Sequence, residues 1–210
     1  MKYLYLFTRK VSGSLRNLKR KVSDKSLKAY CLHRGAQFAD IQSTRLGGVI
    51  NLAPDSEVKI GSNFVVNSSP SMSFDNGYCA KIVVGSKAKL SIGDYSGISN
   101  TLIYCKNSIT IGDHVNIGGG CMIMDSNFHS TDWRDRADRS QDVKNARTAP
   151  IVIGDYAFIG ARSIICKGVT IGEKSMIAAG SVVVKDIPAN CIAGGNPCKV
   201  IKMLEDNNLH

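Results

Sequence analysis

The sequence predicts an all-β fold, a parallel β-helix wound from six-residue repeats, and three observations carry that prediction. Ile153, Ile159, Ile165, Ile171, Ile177 and Val183 recur at intervals of six across Ile151–Asp186. Four places after each stands Ala157, Ser163, Val169, Ser175, Ser181 or Ile187, most of them small. Gly154, Gly160 and Gly172 directly follow three of the branched residues. A period of six fits neither the 3.6 of a helix nor the alternation of a lone strand. It fits a coil with flat sides, each a short strand and a turn, with one branched side chain pointing inward. Repetition at this short a period marks a hexapeptide β-helix. Glycine beside the inward residue is expected to serve a tight corner through its tolerance of positive φ. Three sides complete a coil, so this stretch supplies two coils.

The chain opens differently. Its 210 residues suit one well-buried core with an appended arm. Net charge is +10, yet residues 1–30 hold nine basic side chains against Asp24 alone, so the excess belongs to the arm. Residues 1–45 read as a basic, helical N-terminal arm. Its apolar start, Tyr3 to Phe7, is too short to span a bilayer, and no small-residue cleavage site follows. Tyr3, Leu4, Leu6 and Phe7 beside Arg9, Lys10, Arg16, Lys19, Arg20 and Lys21 suit a helix resting on an anionic membrane face. A solvated helix packed on the body or on a neighbouring subunit is the plainer reading. No nucleic-acid module accompanies the basic tract, and no nucleic-acid partner is expected.

From Leu46 the six-residue grammar begins irregularly, with Val58-x-Ile60-Gly61, Leu90-x-Ile92-Gly93 and Ile109-x-Ile111-Gly112. Ile92 and Ile98 share one frame and Ile111, Ile117 and Ile123 a later one, so a one-residue slip lies between them. Asn67–Cys79 breaks the repeat as an excursion at a corner. Residues 46–188 are expected to form about six coils, whose stacking buries the Ile/Val column. Ser130–Pro150 is polar and free of hexapeptides, but the frame of Ile111 and Ile123 resumes at Ile153. A long polar loop leaving a solenoid between intact coils is more often functional than structural. His129 occupies the next position of that frame, where an inward Ile is expected. Residues 189–210 form a tail, with turn chemistry at Gly194-Gly195-Asn196-Pro197 and cations at Lys199 and Lys202.

The seven cysteines are scattered, with no CxxC, and read as small buried thiols in a reducing compartment. His33, His114 and His210 read as solvated. Asp125 and Asp132 are the nearest carboxylates in sequence to His129. Asp125 is favoured as its orienter or as an acceptor contact, against an exposed turn carboxylate. Trp133 can stack on a sugar face, close the site or anchor the loop. Arg134, Arg136, Arg139 and Arg147 alternate with Asp135, Asp138 and Asp142 as a solvated face.

These repeats, a single His before a projecting loop, and the string VVVKDIPANCIAGGNPCKVIK together resemble the hexapeptide-repeat acyltransferases over about residues 84–203. Within them the chain is most similar to bacterial O-acetyltransferases, such as galactoside and maltose acetyltransferases and enzymes of capsule and O-antigen assembly. The resemblance implies a left-handed β-helix, an obligate homotrimer, and acetyl-CoA in the groove between adjacent subunits. It implies His129 as the general base that deprotonates an acceptor hydroxyl attacking the thioester, by direct transfer without an acyl-enzyme. A neutral imidazole suits that task near pH 7. Motif against motif, it places Ala161, Ala179, Val184 and Lys185 on the pantetheine path, and Lys185, Lys199 and Lys202 at the phosphates of CoA. Lys stands at the last two positions where sugar-acetylating relatives often carry Arg, so charge is kept and bidentate contact is not. Asp125 and Trp133 are the candidate substrate contacts.

The activity implied is acetyl-CoA-dependent O-acetyl transfer to a sugar or polysaccharide precursor in the cytoplasm, at the inner membrane face if the arm binds lipid. The alternatives are an N-acetyltransferase on an amino sugar, an antibiotic acetyltransferase, or a purely structural β-helix module. The γ-type carbonic anhydrases share the coil but need three His per zinc, whereas only His114 and His129 lie within the repeats, so no metal is expected.

Overall fold

A computed structural model describes residues 24–69 and 79–204. The hexapeptide frame becomes a three-sided coil. The first sheet stacks Gln37–Phe38, Glu57–Ile60, Lys89–Ile92, Ser108–Ile111, Ile151–Ile153 and Thr170–Ile171 in parallel. The second stacks Val65–Asn67, Gly97–Ser99, Asn116–Ile117, Phe158–Ile159, Met176–Ile177 and Cys191–Gly194, closed by the antiparallel strand Lys199–Met203. The third holds Val49–Leu52, Lys81–Val84, Leu102–Cys105, Met122–Met124, Ile164–Cys166 and Val182–Val183. The first and third sheets are six-stranded, which agrees with about six coils. Parallel pairing runs from Gln37 to Ala193, wider at both ends than the span 46–188.

The column expected from the sequence is the core. Ile111, Ile153 and Ile171 stack on the first sheet, Ile117, Ile159 and Ile177 on the second, and Ile123, Ile165 and Val183 on the third, all buried. Each contributes on the order of 1.5–3 kcal/mol by leaving water. The small residues four places on, Ala157, Ser163, Ser175 and Ser181, are buried beside them. Their hydroxyls bond carbonyls of the turns: Ser163 Oγ donates to Gly160 O at 2.8 Å and Ser181 Oγ to Ala178 O at 2.6 Å. The expected slip is real and lies on the third side. The inward residues there are spaced five apart from Ile98 to Ile103 and eight from Ile103 to Ile111, through a longer strand.

The reason for glycine after the branched residue differs from the one expected. Gly154 and Gly160 are not among the residues with positive φ; those at the first corner, between the first and second sheets, are Asn63, Tyr95, His114, Tyr156, Lys174 and Asn190. A Cβ on Gly160 would instead meet Ala179 N at 2.5 Å, and one on Gly154 would meet Glu173 N at 2.6 Å. The glycines are there because the next coil passes too close for a side chain. The left-handed residues pack on one another: the His114 ring stacks between Tyr95 and Tyr156 at 4.9 and 4.8 Å.

The arm falls largely outside the described residues, as do the excursion's residues 70–78 and the last six of the tail. Helix α1, residues 24–33, docks on the first coils: Asp24 accepts from Leu46 N at 2.7 Å and Tyr30 Oη accepts from Leu52 N at 3.0 Å. No helix among the described residues is long and apolar enough to cross a membrane.

Candidate active site

The chain leaves the coil after Met122–Met124, at the corner between the third and first sheets. Its exit and return are stapled together. Ser126 bridges Thr148 in antiparallel sense, Asn127 N donates to Arg147 O at 3.0 Å, and Ala149 N donates to Asp125 O at 3.0 Å. The excursion is helical where a loop was expected, with short helices α2 (Trp133–Arg136) and α3 (Arg139–Asn145). Its acidic residues build it. Asp132 caps α2 by accepting from Arg134 N, and Asp138 caps α3 by accepting from Ser140 N and Gln141 N. Asp135 accepts from Ser130 Oγ at 2.6 Å, which together with Asn145 holds its carboxyl below the usual range. The alternation of charges is therefore the loop's internal scaffold and not only a solvated face.

His129 stands at the base of this excursion. It does not occupy an inward coil position: the place its frame predicted is filled by Ile151 and Ile153, and its own side chain is 70% exposed. Its Nδ1 lies 2.6 Å from Asp142 Oδ2. Asp142 is the one buried residue of α3, and its other oxygen accepts from Ser130 N at 2.7 Å. The imidazole and that amide hold the Asp142 carboxyl below the usual aspartate range. An ionised carboxylate only accepts hydrogen bonds, so Nδ1 carries a proton, and in the neutral ring Nε2 is the nitrogen with the lone pair.

Asp125, favoured from sequence as the orienter, points elsewhere. It is fully buried, and its two oxygens accept from Lys106 N and Asn107 N, each at 2.7 Å. Its carboxylate caps a corner of the preceding coil. The partner of His129 is Asp142, thirteen residues away, and no spacing rule pointed to it. The fact that betrays it is local: it is a carboxylate on the inward side of a short helix whose other residues face water.

Phe128, just before His129, has φ 63, which is uncommon for a bulky residue. Ser126 Oγ accepts from its N–H at 3.0 Å, and its ring meets Tyr104 edge-on at 4.8 Å. Trp133 is 66% exposed, with the Arg134 guanidinium 5.1 Å from its ring, so it does not anchor the loop to this chain's own coils.

Ala161 and Ala179 sit on consecutive turns of the corner between the second and third sheets. Gly180 N donates to Ala161 O at 2.8 Å, and neither alanine's own N–H makes a hydrogen bond among the described residues. Lys199 lies opposite Gly194 near that corner, and Lys202 opposite Ile192 further back. Val184 and Lys185 are exposed but follow Val182–Val183 onto the corner from which His129 projects. The single track expected from sequence is thus divided between two corners. The buried thiols take no part. Cys105, also facing Asp125, is pushed up to about 12, and Cys31 to about 11 by burial. Among the described residues no cluster of His, Cys, Asp and Glu is arranged to hold a metal.

Comparison with known proteins agrees with this architecture. Residues 150–185 match the family described as the hexapeptide repeat of succinyl-transferase. The chain is 51% identical over 61 residues to galactoside O-acetyltransferase of Escherichia coli, a match covering 29% of the chain and 30% of that relative. It is 30% identical over 145 residues, 69% of the chain and 68% of the relative, to WcaF of Escherichia coli, an acetyltransferase whose name assigns it to colanic acid biosynthesis. Among solved structures it resembles a hexapeptide-repeat acetyltransferase of Vibrio cholerae complexed with acetyl-CoA, at TM-score 0.53 and 28% identity over 86% of the chain and 79% of that structure. It also resembles galactoside acetyltransferase in complex with CoA, at TM-score 0.51 and 26% identity over 82% and 68%. With its left-handed parallel β-helix, the chain belongs to the hexapeptide-repeat acyltransferases.

Proposed function

We propose that this chain moves an acetyl group from acetyl-CoA to a hydroxyl of a sugar or polysaccharide precursor. The observation that carries this reading is the His129–Asp142 pair at the mouth of the excursion. A sugar hydroxyl is a poor nucleophile until a base takes its proton. Nε2, bare and exposed, takes that proton as the acceptor oxygen bonds to the thioester carbonyl carbon. The C–S bond then breaks, and the imidazolium returns the proton to the departing CoA sulfur. Asp142 holds the ring in the competent tautomer and faces the imidazolium while it exists. Transfer is direct, because the deprotonated acceptor oxygen attacks the thioester itself and the His129–Asp142 pair needs no covalent intermediate.

The donor lies along Ala161 and Ala179, whose free N–H groups suit the amides of a pantetheine arm. Val184 and Lys185, on the His129 corner, would meet this path from the neighbouring copy, and Lys185, Lys199 and Lys202 meet the phosphates as point charges. His129 and the alanine column stand on different corners of one prism, so each site is completed between two copies of a homotrimer. Exposed apolar residues on the excursion, Trp133 and Val143, support that assembly. Trp133 then closes over the acceptor. The names of the relatives, galactoside O-acetyltransferase and a colanic acid acetyltransferase, support a carbohydrate acceptor. The basic arm would hold the enzyme at the inner face of the membrane, and deleting residues 1–30 should then abolish sedimentation with anionic vesicles.

The test is acetyl-CoA turnover against a panel of sugars and amino sugars, with the product treated with hydroxylamine. The expected product is a hydroxylamine-labile ester on a sugar. A stable amide on an amino sugar would replace this reading with N-acetyl transfer, and transfer to no acceptor would contradict both.

A further inference from the structure

We infer that the acceptor carries an anionic group, a carboxylate or a phosphate, close to the hydroxyl that reacts, and that Lys106 is its counter-charge. The inference rests on the reading of His129 as the base. Lys106 Nζ sits 5.6 Å from the centre of the Phe128 ring, one residue from His129. Its position is built from both sides. Its own N–H is fixed by the buried Asp125 carboxylate at 2.7 Å, and its ammonium lies over a ring that Tyr104 meets edge-on. Cation–π contact steers the ammonium but leaves its three N–H donors without an acceptor. Among the described residues no carboxylate pairs with it. Asp125 is turned to the amides of Lys106 and Asn107, and Asp142 to His129 and Ser130.

A groove of about 500 Å³ lies over the outer face of the third sheet, walled by Leu102, Tyr104 and Met122 with Asn100 and Lys81. That volume falls within the roughly 300–1,000 Å³ of small-molecule sites. Tyr104 is shared: it walls the groove and supports Phe128. Lys81 is likewise in no ion pair among the described residues. An apolar wall for a sugar's C–H face, an amide, and unneutralised ammonium groups at the groove and over the Phe128 ring complement an acidic sugar or a sugar phosphate. A neutral sugar would leave that positive charge without a partner.

The test pairs acidic acceptors with neutral ones of the same ring: galacturonate and galactose 1-phosphate against galactose. The ε-methyl NMR signal of Met122, in protein labelled at its methionines, reads occupancy of the groove without requiring turnover. The wild type should shift this signal with galacturonate or galactose 1-phosphate at concentrations at least about tenfold below those needed for galactose, the size of one charge-assisted hydrogen bond. Which of the two acids acts at the lower concentration tells carboxylate from phosphate. Lys106→Gln should erase the preference and Lys106→Arg restore it. Equal response to galactose and to both acids, or a preference that survives Lys106→Gln, overturns the inference. If the selective shift is present but no acceptor is acetylated, the proposed activity fails and the anion site stands.

Discussion

Asp142 Oδ2 lies 2.6 Å from His129 Nδ1, and this contact fixes which imidazole nitrogen faces the acceptor. Replacing Asp142 by Asn puts an amide in reach of Nδ1. The amide can donate to Nδ1 and so move the ring proton to Nε2, where the base must be bare. Asp142→Asn should lower kcat/KM by about 10²-fold, within the range that a positioned base contributes, while the protein stays folded. Steady-state kinetics beside a thermal melt checks this. A variant with wild-type kinetics would remove Asp142 from the mechanism.

The same contact has a direction in pH. The Asp142 carboxyl is held below its ordinary range by the His129 ring and by the Ser130 amide, and Asp135 and Asp138 are also held low by their partners. The unfolded chain binds protons on these groups first, so their contribution is complete above the ordinary aspartate pKa of about 3.9. It is lost as pH falls through the depressed folded values. Trp133 is the only tryptophan and sits in the excursion, so its fluorescence reports the excursion alone. Its emission should be flat from neutral pH down to about 4 and change below that. Asp142→Asn should weaken the change.

Asp125 is a corner cap, and its loss should be read in stability. Asp125→Ala leaves the amides of Lys106 and Asn107 without their acceptor and should cost about 3 kcal/mol in urea unfolding. Asp125→Asn keeps one acceptor oxygen and should cost less. Equal, negligible losses in both would show that the corner does not depend on this carboxylate.

Gly160 tests the close approach of coils. An added Cβ would meet Ala179 N at 2.5 Å and Ile177 O at 2.7 Å, both backbone atoms that cannot swing aside. Gly160→Ala should destabilise by about 1–3 kcal/mol and raise the KM for acetyl-CoA, because the alanine column moves with it. Gly85→Ala, whose Cβ would come no closer than 3.4 Å to Cys105 O, is the control and should stay near neutral.

The coil was legible because its period is imposed by packing: every inward place must be branched or small, and Ile153 to Val183 show it without a gap. His129 was found through the same frame, but for a reason the structure does not keep. The coincidence of number marked a residue at the base of the excursion, not one that replaces an inward isoleucine. Asp142 was hidden because it meets His129 through a helical excursion whose path no repeat dictates. Asp125 drew attention by nearness in sequence, whereas its carboxylate serves a corner nearly twenty residues earlier. The glycines were correctly marked as corner residues, but it is the neighbouring coil, invisible in a single repeat, that requires them. Lys106 and Phe128 had no signal at all, since their pairing depends on the longer third side at Leu102–Cys105.

The central claim is that the exposed Nε2 of His129 removes the acceptor's proton. Its most direct test is the single-turnover rate of acetyl transfer from bound acetyl-CoA to the best acceptor, for wild type and His129→Ala. The account predicts a fall of about 10²–10⁴-fold with acetyl-CoA affinity retained. A variant that transfers acetyl at the wild-type rate would contradict it.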